Sequence, residues 1–161
     1  MMVHRLARDS DFGAIYELYM EQSANPFLTY DFMDQAEFRG IYQQLLSTDT
    51  VFVVEVHDAI AATYRLIPKT YRQSHTFYLG SFTIKTDHQG KGWGTEVLNH
   101  IKAFSLGKKK TRIELTVDIN NPAAIALYKK SGFLVEGQIR NSYRRSDTGE
   151  FYDEYLMGVI L

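Results

Sequence analysis

Apolar residues recur along this chain at two different spacings, and each change of spacing marks the edge of an element. Val3–Leu6 reads as a short strand. From Phe12 the spacing lengthens, with Phe12, Ile15, Tyr16, Tyr19 and Met20 on one face of a helix that Asp9 or Ser10 can cap. A second helix is predicted over about Asp34–Leu46. The connection between them, Ser23–Phe32, is aromatic and aperiodic, as in either a lid or a packed loop. Thr50–Val56, a tight turn at His57-Asp58 and Ile60–Ile67 form a hairpin that Pro68 ends, and a third strand runs over about Thr76–Lys85. Helical spacing returns at Trp93, Val97, Leu98, Ile101 and Phe104 and stops at Gly107, where glycine can take a left-handed end. Arg112–Val117 is a compact β-branched strand. Asn121-Pro122 then supplies a capping side chain followed by proline at the first helical position, and this helix ends at Ser131-Gly132. Phe133–Ile139 and Phe151–Ile160 read as final strands joined around Asp147-Thr148-Gly149. The order β-α-α-β-β-β-α-β-α-β-β is mixed α/β. With no repeat, low-complexity tract or linker, residues 1–161 read as one domain.

Composition narrows the function classes. Lys plus Arg number 18 against 19 Asp plus Glu, a net charge of -1, so the chain lacks the basic field of a dedicated nucleic-acid binder. It has no cysteine, which removes disulfides, thiolate zinc sites and a cysteine nucleophile, and makes the cytoplasm the default location. Arg5, Arg8 and Asp9 stand where a signal peptide needs an apolar stretch, and no window is apolar enough to span a membrane, so a soluble, untargeted protein is expected. The 11 Tyr and 10 Phe could line a pocket or fill a core.

Candidate chemistry concentrates at His88-Gln89-Gly90-Lys91-Gly92-Trp93-Gly94-Thr95, between a strand and an amphipathic helix. There, free backbone N–H groups and the helix dipole together suit an anion. The dinucleotide fingerprint G-x-G-x-x-G fails, because Thr95 and Val97 stand where its last glycine would be, and the Walker pattern fails because Gly92 follows Lys91. A flexible turn with no ligand is the plain alternative; Lys91 among three glycines favours phosphate.

This segment resembles the signature of the GNAT superfamily of N-acetyltransferases, which is Gln or Arg, two residues, Gly, one residue, Gly or Ala. Gln89, Gly92 and Gly94 occupy its fixed positions. A second block, Asn121, Ala124, Ile125, Leu127, Tyr128, Gly132 and Phe133 followed by Glu136-Gly137, is similar to that family's later motif in order and spacing. The resemblance runs from about Tyr78 to the C-terminus, and Tyr152–Met157 resembles bacterial small-molecule types, including amino-acid and spermidine acetyltransferases. The earlier residues match only by element order.

The resemblance implies a mostly antiparallel sheet flanked by helices, with a splayed parallel strand pair at Tyr78–Lys85 and Arg112–Val117. Acetyl-CoA, with no metal, would lie between those strands. Backbone groups of Phe82, Thr83 and Ile84 would pair with its pantetheine arm. Gln89, Gly90, Lys91, Gly92, Trp93, Gly94 and Thr95 would hold its pyrophosphate. Asn121 would reach the pantetheine, cap its helix, or do both. Lys129 and Lys130 would face the CoA phosphates or serve as dipole partners on a last helical turn. Tyr128 matches the family tyrosine that protonates the leaving thiolate; on the residues alone it is a core aromatic.

Positions where relatives place a carboxylate base hold Leu79 and Thr116, leaving Glu114, on the strand face of Thr116, or Asp118 to act through water. Neutralising the acceptor is a real demand, since an amine of pKa about 10.4 is roughly 0.04% neutral at pH 7. His75 and His88 lack a paired carboxylate in any recognisable pattern. Without cysteine, direct transfer in a ternary complex is expected.

The acceptor would meet the first two helices, their connection and the last hairpin. Phe27, Tyr30, Phe32, Tyr143 and Tyr152 are aromatic candidates, Arg39, Arg140, Arg144 and Arg145 candidates for an acceptor carboxylate, and Asp31, Asp34 and Glu37 for a polyamine. The expected activity is acetyl transfer to a primary amine of a small molecule or amino acid. The alternatives are a protein N-terminus or lysine as acceptor, or a non-catalytic CoA-binding regulator. No nucleic-acid or membrane partner is expected, and a homodimer through the apolar C-terminal strands is implied by analogy.

Overall fold

A computed structural model describes residues 1–161 and has the element order the periodicity predicts. The elements are β1 (Met2–Leu6), α1 (Phe12–Met20), α2 (Gln35–Leu46), β2 (Val51–Val56), β3 (Ala59–Pro68), β4 (Thr76–Ile84), α3 (Trp93–Gly107), β5 (Arg112–Asp118), α4 (Pro122–Lys130), β6 (Leu134–Arg144) and β7 (Phe151–Ile160). Strand order is β1-β2-β3-β4-β5-β7-β6. The β1–β2, β2–β3, β5–β7 and β6–β7 pairs are antiparallel, and β4–β5 is parallel. No helix is long and apolar enough to cross a membrane. The chain divides into two compact units, Met1–Leu66 with Ser81–Gln89, and Ile67–Gly80 with Gly90–Leu161.

In the first unit the abundant aromatics are mostly core. Phe12, Tyr19, Phe38 and Tyr42 are buried together with Ile15, Leu45, Val51 and Val53. The Phe12–Tyr42 and Tyr19–Phe38 ring pairs are both edge-on at 5.5 Å, the geometry aromatic quadrupoles favour. The Ser23–Phe32 connection is a packed loop: buried Asn25 donates from Nδ2 to the carbonyls of Tyr19 (2.7 Å) and Tyr30 (2.9 Å), and Tyr30 stacks on Tyr19. A 3-10 turn at Asp9–Asp11 precedes α1, so neither Asp9 nor Ser10 caps it. Asp11 accepts from the Arg8 N–H at 2.7 Å and is held by the Arg5 guanidinium. Asp34 caps α2, accepting from the Glu37 N–H at 2.8 Å.

In the second unit α3 buries Val97, Leu98 and Ile101, each worth about 1.5–3 kcal/mol of apolar transfer. Its end departs from expectation. Gly107 stays helical and Lys109 takes the left-handed conformation (φ 59), with the Lys110 N–H donating to the Ser105 carbonyl at 2.9 Å. The Schellman geometry is therefore complete, two residues beyond the glycine. α4 ends in the same geometry with Gly132 at φ 92, and the Phe133 N–H reaches the Tyr128 carbonyl at 3.0 Å. β6 begins after Phe133 and continues beyond Ile139 because two irregularities, between Val135 and Gly137 and between Ile139 and Tyr143, restore its pairing with β7. Across β5, β7 and β6 the Arg112 guanidinium binds Glu114 and Glu136, and a Cβ at Gly158 would lie 2.7 Å from Arg112 Nη1. A side chain there would have to displace the Arg112–Glu136 pair.

Candidate active site

The N-terminus of α3 is open. Gly90 (φ 72) and Gly92 (φ 82) are both left-handed, a conformation that costs side-chain-bearing residues about 1–2 kcal/mol. Gly92 is the N-cap and no side chain closes the helix. A Cβ at either glycine would meet nothing within 4 Å, so a ligand can approach the backbone. The N–H groups of the first turn, Trp93, Gly94 and Thr95, thus begin a 15-residue helix with an uncapped positive dipole end. This geometry suits a phosphate-bearing ligand such as the pyrophosphate of acetyl-CoA.

Gln89 belongs to the first unit, where its Nε2 donates to the Ile84 carbonyl at 2.9 Å and fastens the loop to the end of β4. Phe82 meets Tyr64 edge-on and Thr83 is buried. The same unit has an open cavity of about 340 Å³ lined by Glu17, Leu18, Glu21, Ala24, Thr83, Ile84, Lys85, Thr86 and Asp87. Sequence reading missed Glu17 on α1 and Glu21 just past its end; their i, i+4 spacing was the available signal. It also left His88 unpaired, whereas His88 Nδ1 lies 2.6 Å from Asp87 Oδ1, and that contact holds the Asp87 carboxyl below its usual range. Of the acceptor candidates in this unit, Asp34 is committed to capping, Phe27 is exposed and Tyr30 half-buried.

In the second unit the β4–β5 ladder pairs only Thr76 with Arg112, Phe77 with Ile113 and Tyr78 with Glu114, although β4 continues to Ile84 and β5 to Asp118. Just past the last pair, the Tyr78 hydroxyl lies 2.8 Å from Thr116 Oγ1. Leu79 is buried. Tyr128 is 8% exposed with its ring against Phe133, and burial, with Tyr78 adding to it, pushes its hydroxyl well above the usual phenol range. Glu114 is ion-paired with Lys69 and Arg112. Burial alone would raise its pKa, but the two cations outweigh it and hold the carboxyl below its usual value. Asp118 accepts from the Asn120 N–H at 2.7 Å and from the Tyr143 hydroxyl.

Asn121 caps α4 through Oδ1 to the Ala124 N–H at 3.3 Å. Lys102 on α3 donates to the Ser131 carbonyl at the other end of α4, while Lys129 and Lys130 are exposed. Tyr152 stacks on Tyr143 at 5.4 Å beside Arg145. Phe27 and Tyr30 thus belong to one unit and Tyr152 to the other.

Comparison with known proteins gives a consistent family. No curated protein sequence matches the chain. Its fold is similar to the spermidine N-acetyltransferase of Vibrio cholerae, solved with CoA and spermine, at a TM-score of 0.84 and 22% identity over 99% of this chain and 95% of that one. It is similar to a ribosomal-protein-alanine N-acetyltransferase from Brucella melitensis, at a TM-score of 0.76 and 20% identity over 99% of each chain. A Salmonella typhimurium protein solved with its cofactor acetyl-CoA aligns at a TM-score of 0.75 and 21% identity, over 100% of this chain and 94% of that one. The family model described as Acetyltransferase (GNAT) family matches residues 12–133, taking in both the open α3 terminus and Tyr128, and the chain belongs to that family of acetyltransferases.

Proposed function

We propose that this chain moves the acetyl group of acetyl-CoA directly to a primary amine of a small molecule. The observation that carries the reading is the uncapped, glycine-built N-terminus of α3 in a chain whose α2 and α4 are both capped by side chains. The N–H groups from Gly90 to Thr95, with Lys91 beside them, hold the pyrophosphate, and the backbone of Phe82–Ile84 pairs with the pantetheine arm. Gln89 contributes by fixing the loop to Ile84, and Asn121 by holding the first turn of α4 on which Tyr128 follows. The exposed Lys130 is offered to the outer phosphates.

Transfer makes a C–N bond as the C–S bond breaks, and it needs a proton for the departing thiolate. Tyr128 supplies it: held well above the usual phenol range, it is fully protonated at neutral pH and acts only as a donor. Glu114 is a poor direct base, because its two cations stabilise the deprotonated form and weaken its pull on an ammonium proton. A cationic acceptor is favoured by Glu17, Glu21 and Asp87 around the first unit's cavity, whose lining includes Thr83 and Ile84. The names of the spermidine-acetylating neighbours agree with an amine acceptor. Phe27, Tyr30 and Tyr152 are the aromatic surfaces offered to its carbon chain.

Thiol release from acetyl-CoA across a panel of polyamines, amino acids, aminoglycosides and peptides tests the reading. Release with a polyamine or another small amine is expected, and Tyr128→Phe should slow turnover at least tenfold with CoA affinity unchanged. Release only with peptides would move the activity to protein substrates. CoA binding without release for any acceptor would make the chain a regulator.

A further inference from the structure

The C-terminal end of α3 gathers charge that the near-zero net charge of the chain conceals. Lys108, Lys109 and Lys110 follow its last turn, and the Lys110 ammonium donates to the Ser74 carbonyl in the β3–β4 connection. The Thr111 N–H donates to the His75 carbonyl at 2.9 Å, so the two segments are laced together within the second unit. Arg72 lies in the same connection. Arg72, Lys108 and Lys109 are exposed and Lys110 is half-buried. Residues 68–76 and 106–112 contain no Asp or Glu. Lys69 is paired with Glu114, whereas these four cations have no ion-pair partner. The dipole of α3 accounts for lysines after a helix end, as it does for Lys129 and Lys130 on α4. It accounts for neither Arg72 nor Tyr71. The Tyr71 residue is 93% exposed and left-handed (φ 54) in the Tyr71–Gln73 turn, a conformation that disfavours any side chain. The backbone is strained to hold a ring in solvent, and the fold gains no burial from it.

We infer that this end of the second unit is a docking surface for single-stranded RNA, with Arg72, Lys108, Lys109 and Lys110 on phosphates and the Tyr71 ring stacked on a base. Three features choose that partner. Lysine is depleted in protein–protein interfaces, whereas neutralising phosphates uses it. A ring standing clear of the surface reaches the face of an unpaired base but not bases stacked in a duplex. Thr70, Gln73 and Ser74, all exposed around Tyr71 in the turn, offer hydroxyl and amide groups to the ribose 2′-hydroxyl that DNA lacks. Net charge alone argued against a nucleic-acid partner, but it averages over the whole chain. Four cations make an ancillary contact and not a dedicated binding domain. The 15 residues of α3 separate this surface from the glycine-built terminus by about 22 Å, so RNA docking goes beyond acetyl transfer and does not depend on it.

Fluorescence anisotropy of a labelled oligouridylate against salt, with and without saturating CoA, tests the surface. Log affinity should fall with log salt at a slope no steeper than about −2.8, from four phosphates at about −0.7 each, and CoA should leave it unchanged. The Arg72→Gln/Lys108→Gln/Lys109→Gln variant should bind at least tenfold more weakly and flatten the slope to about −0.7, the share of Lys110. Tyr71→Ala should weaken binding about 5–100-fold with the slope unchanged. Tyr71→Gly should weaken it as much while raising Tm, because glycine accepts the positive φ, a pairing of effects that a merely structural tyrosine would not give. Thiol release should be the same in all of these variants. Absence of salt-dependent binding, or wild-type affinity in the Tyr71 variants, would overturn the proposal. So would competition by CoA, which would move the RNA to the α3 N-terminus. Equal binding of the matching DNA strand would overturn the choice of RNA, and equal binding of poly-glutamate would make the surface one for an acidic protein.

Discussion

Helices α3 and α4 both follow a strand end and both finish in Schellman geometry, yet they are opposite at their two termini. α4 opens with Asn121 over its first N–H groups and closes with Gly132 in the left-handed position. α3 opens on left-handed Gly92 with no capping side chain and closes with a left-handed Lys109, a residue that pays for that conformation. At each end, α4 is built for stability. At its N-terminus, α3 gives up a side-chain cap worth about 1 kcal/mol, and its dipole end is left uncapped. The difference marks the α3 terminus, of the two, as the one whose first turn no side chain caps.

The largest effect should come from giving α3 the kind of cap α4 has. Gly92→Asp puts a carboxylate and a strained φ where phosphate is expected, and CoA affinity measured by calorimetry should fall at least about a hundredfold, near 2.8 kcal/mol. Retained affinity would move the anion site elsewhere.

Next in size is the ion-paired carboxylate on β5. Glu114→Gln should cost about 1–2 kcal/mol in denaturant melts, since it leaves Lys69 and Arg112 short of a partner, while changing kcat/KM less than threefold. Because the folded-state pKa of Glu114 is depressed, its contribution to stability is full above its unfolded value of about 4.3 and is lost as pH falls through the folded value. The variant should therefore lose less stability than wild type in melts taken below about pH 4. A large loss of rate, with a changed pH–rate profile, would return Glu114 to the role of base.

Removing the α4 cap is a smaller perturbation. Asn121→Ala should cost about 1 kcal/mol of stability with CoA affinity changed only severalfold, the reverse of the Gly92→Asp pattern. A loss of CoA affinity larger than the loss of stability would show that Asn121 touches the ligand. Smallest of all, Lys109→Gly should stabilise the chain by about 0.5–1 kcal/mol and raise Tm without altering binding, because α3 would then end as α4 does.

Much of this was legible beforehand because local rules dominate where they apply. The period of Phe12, Ile15 and Tyr19, the Asn121-Pro122 start and the Phe151–Ile160 strand need only neighbours in sequence, and each forms as read. The failures arise where neighbouring hydrogen bonds or partners elsewhere in the chain intervene. Gly107 offered the usual helix end, but the hydrogen bonds of Lys109 and Lys110 extend the last turn past it. Asp9 and Ser10 offered a cap, but both lie in a 3-10 turn, and Asp11, the residue before α1, turns its carboxylate to Arg5 and the Arg8 N–H instead. Glu114 looked like an available carboxylate because neither Lys69 nor Arg112 advertises in sequence that it will reach the same side chain.

Sequence by itself determined the element order, the family and the identity of the glycine turn, since these follow from period, spacing and the freedom of glycine to take positive φ. Only the tertiary structure decided which groups are chemically free. It tied Glu114 and Asp118 into pairs and committed Asp34 to a cap. It also set the hydroxyls of Tyr78 and Thr116 within a hydrogen bond of each other from residues 38 positions apart. Protonation and availability depend on distance and burial in three dimensions, and a linear pattern carries neither.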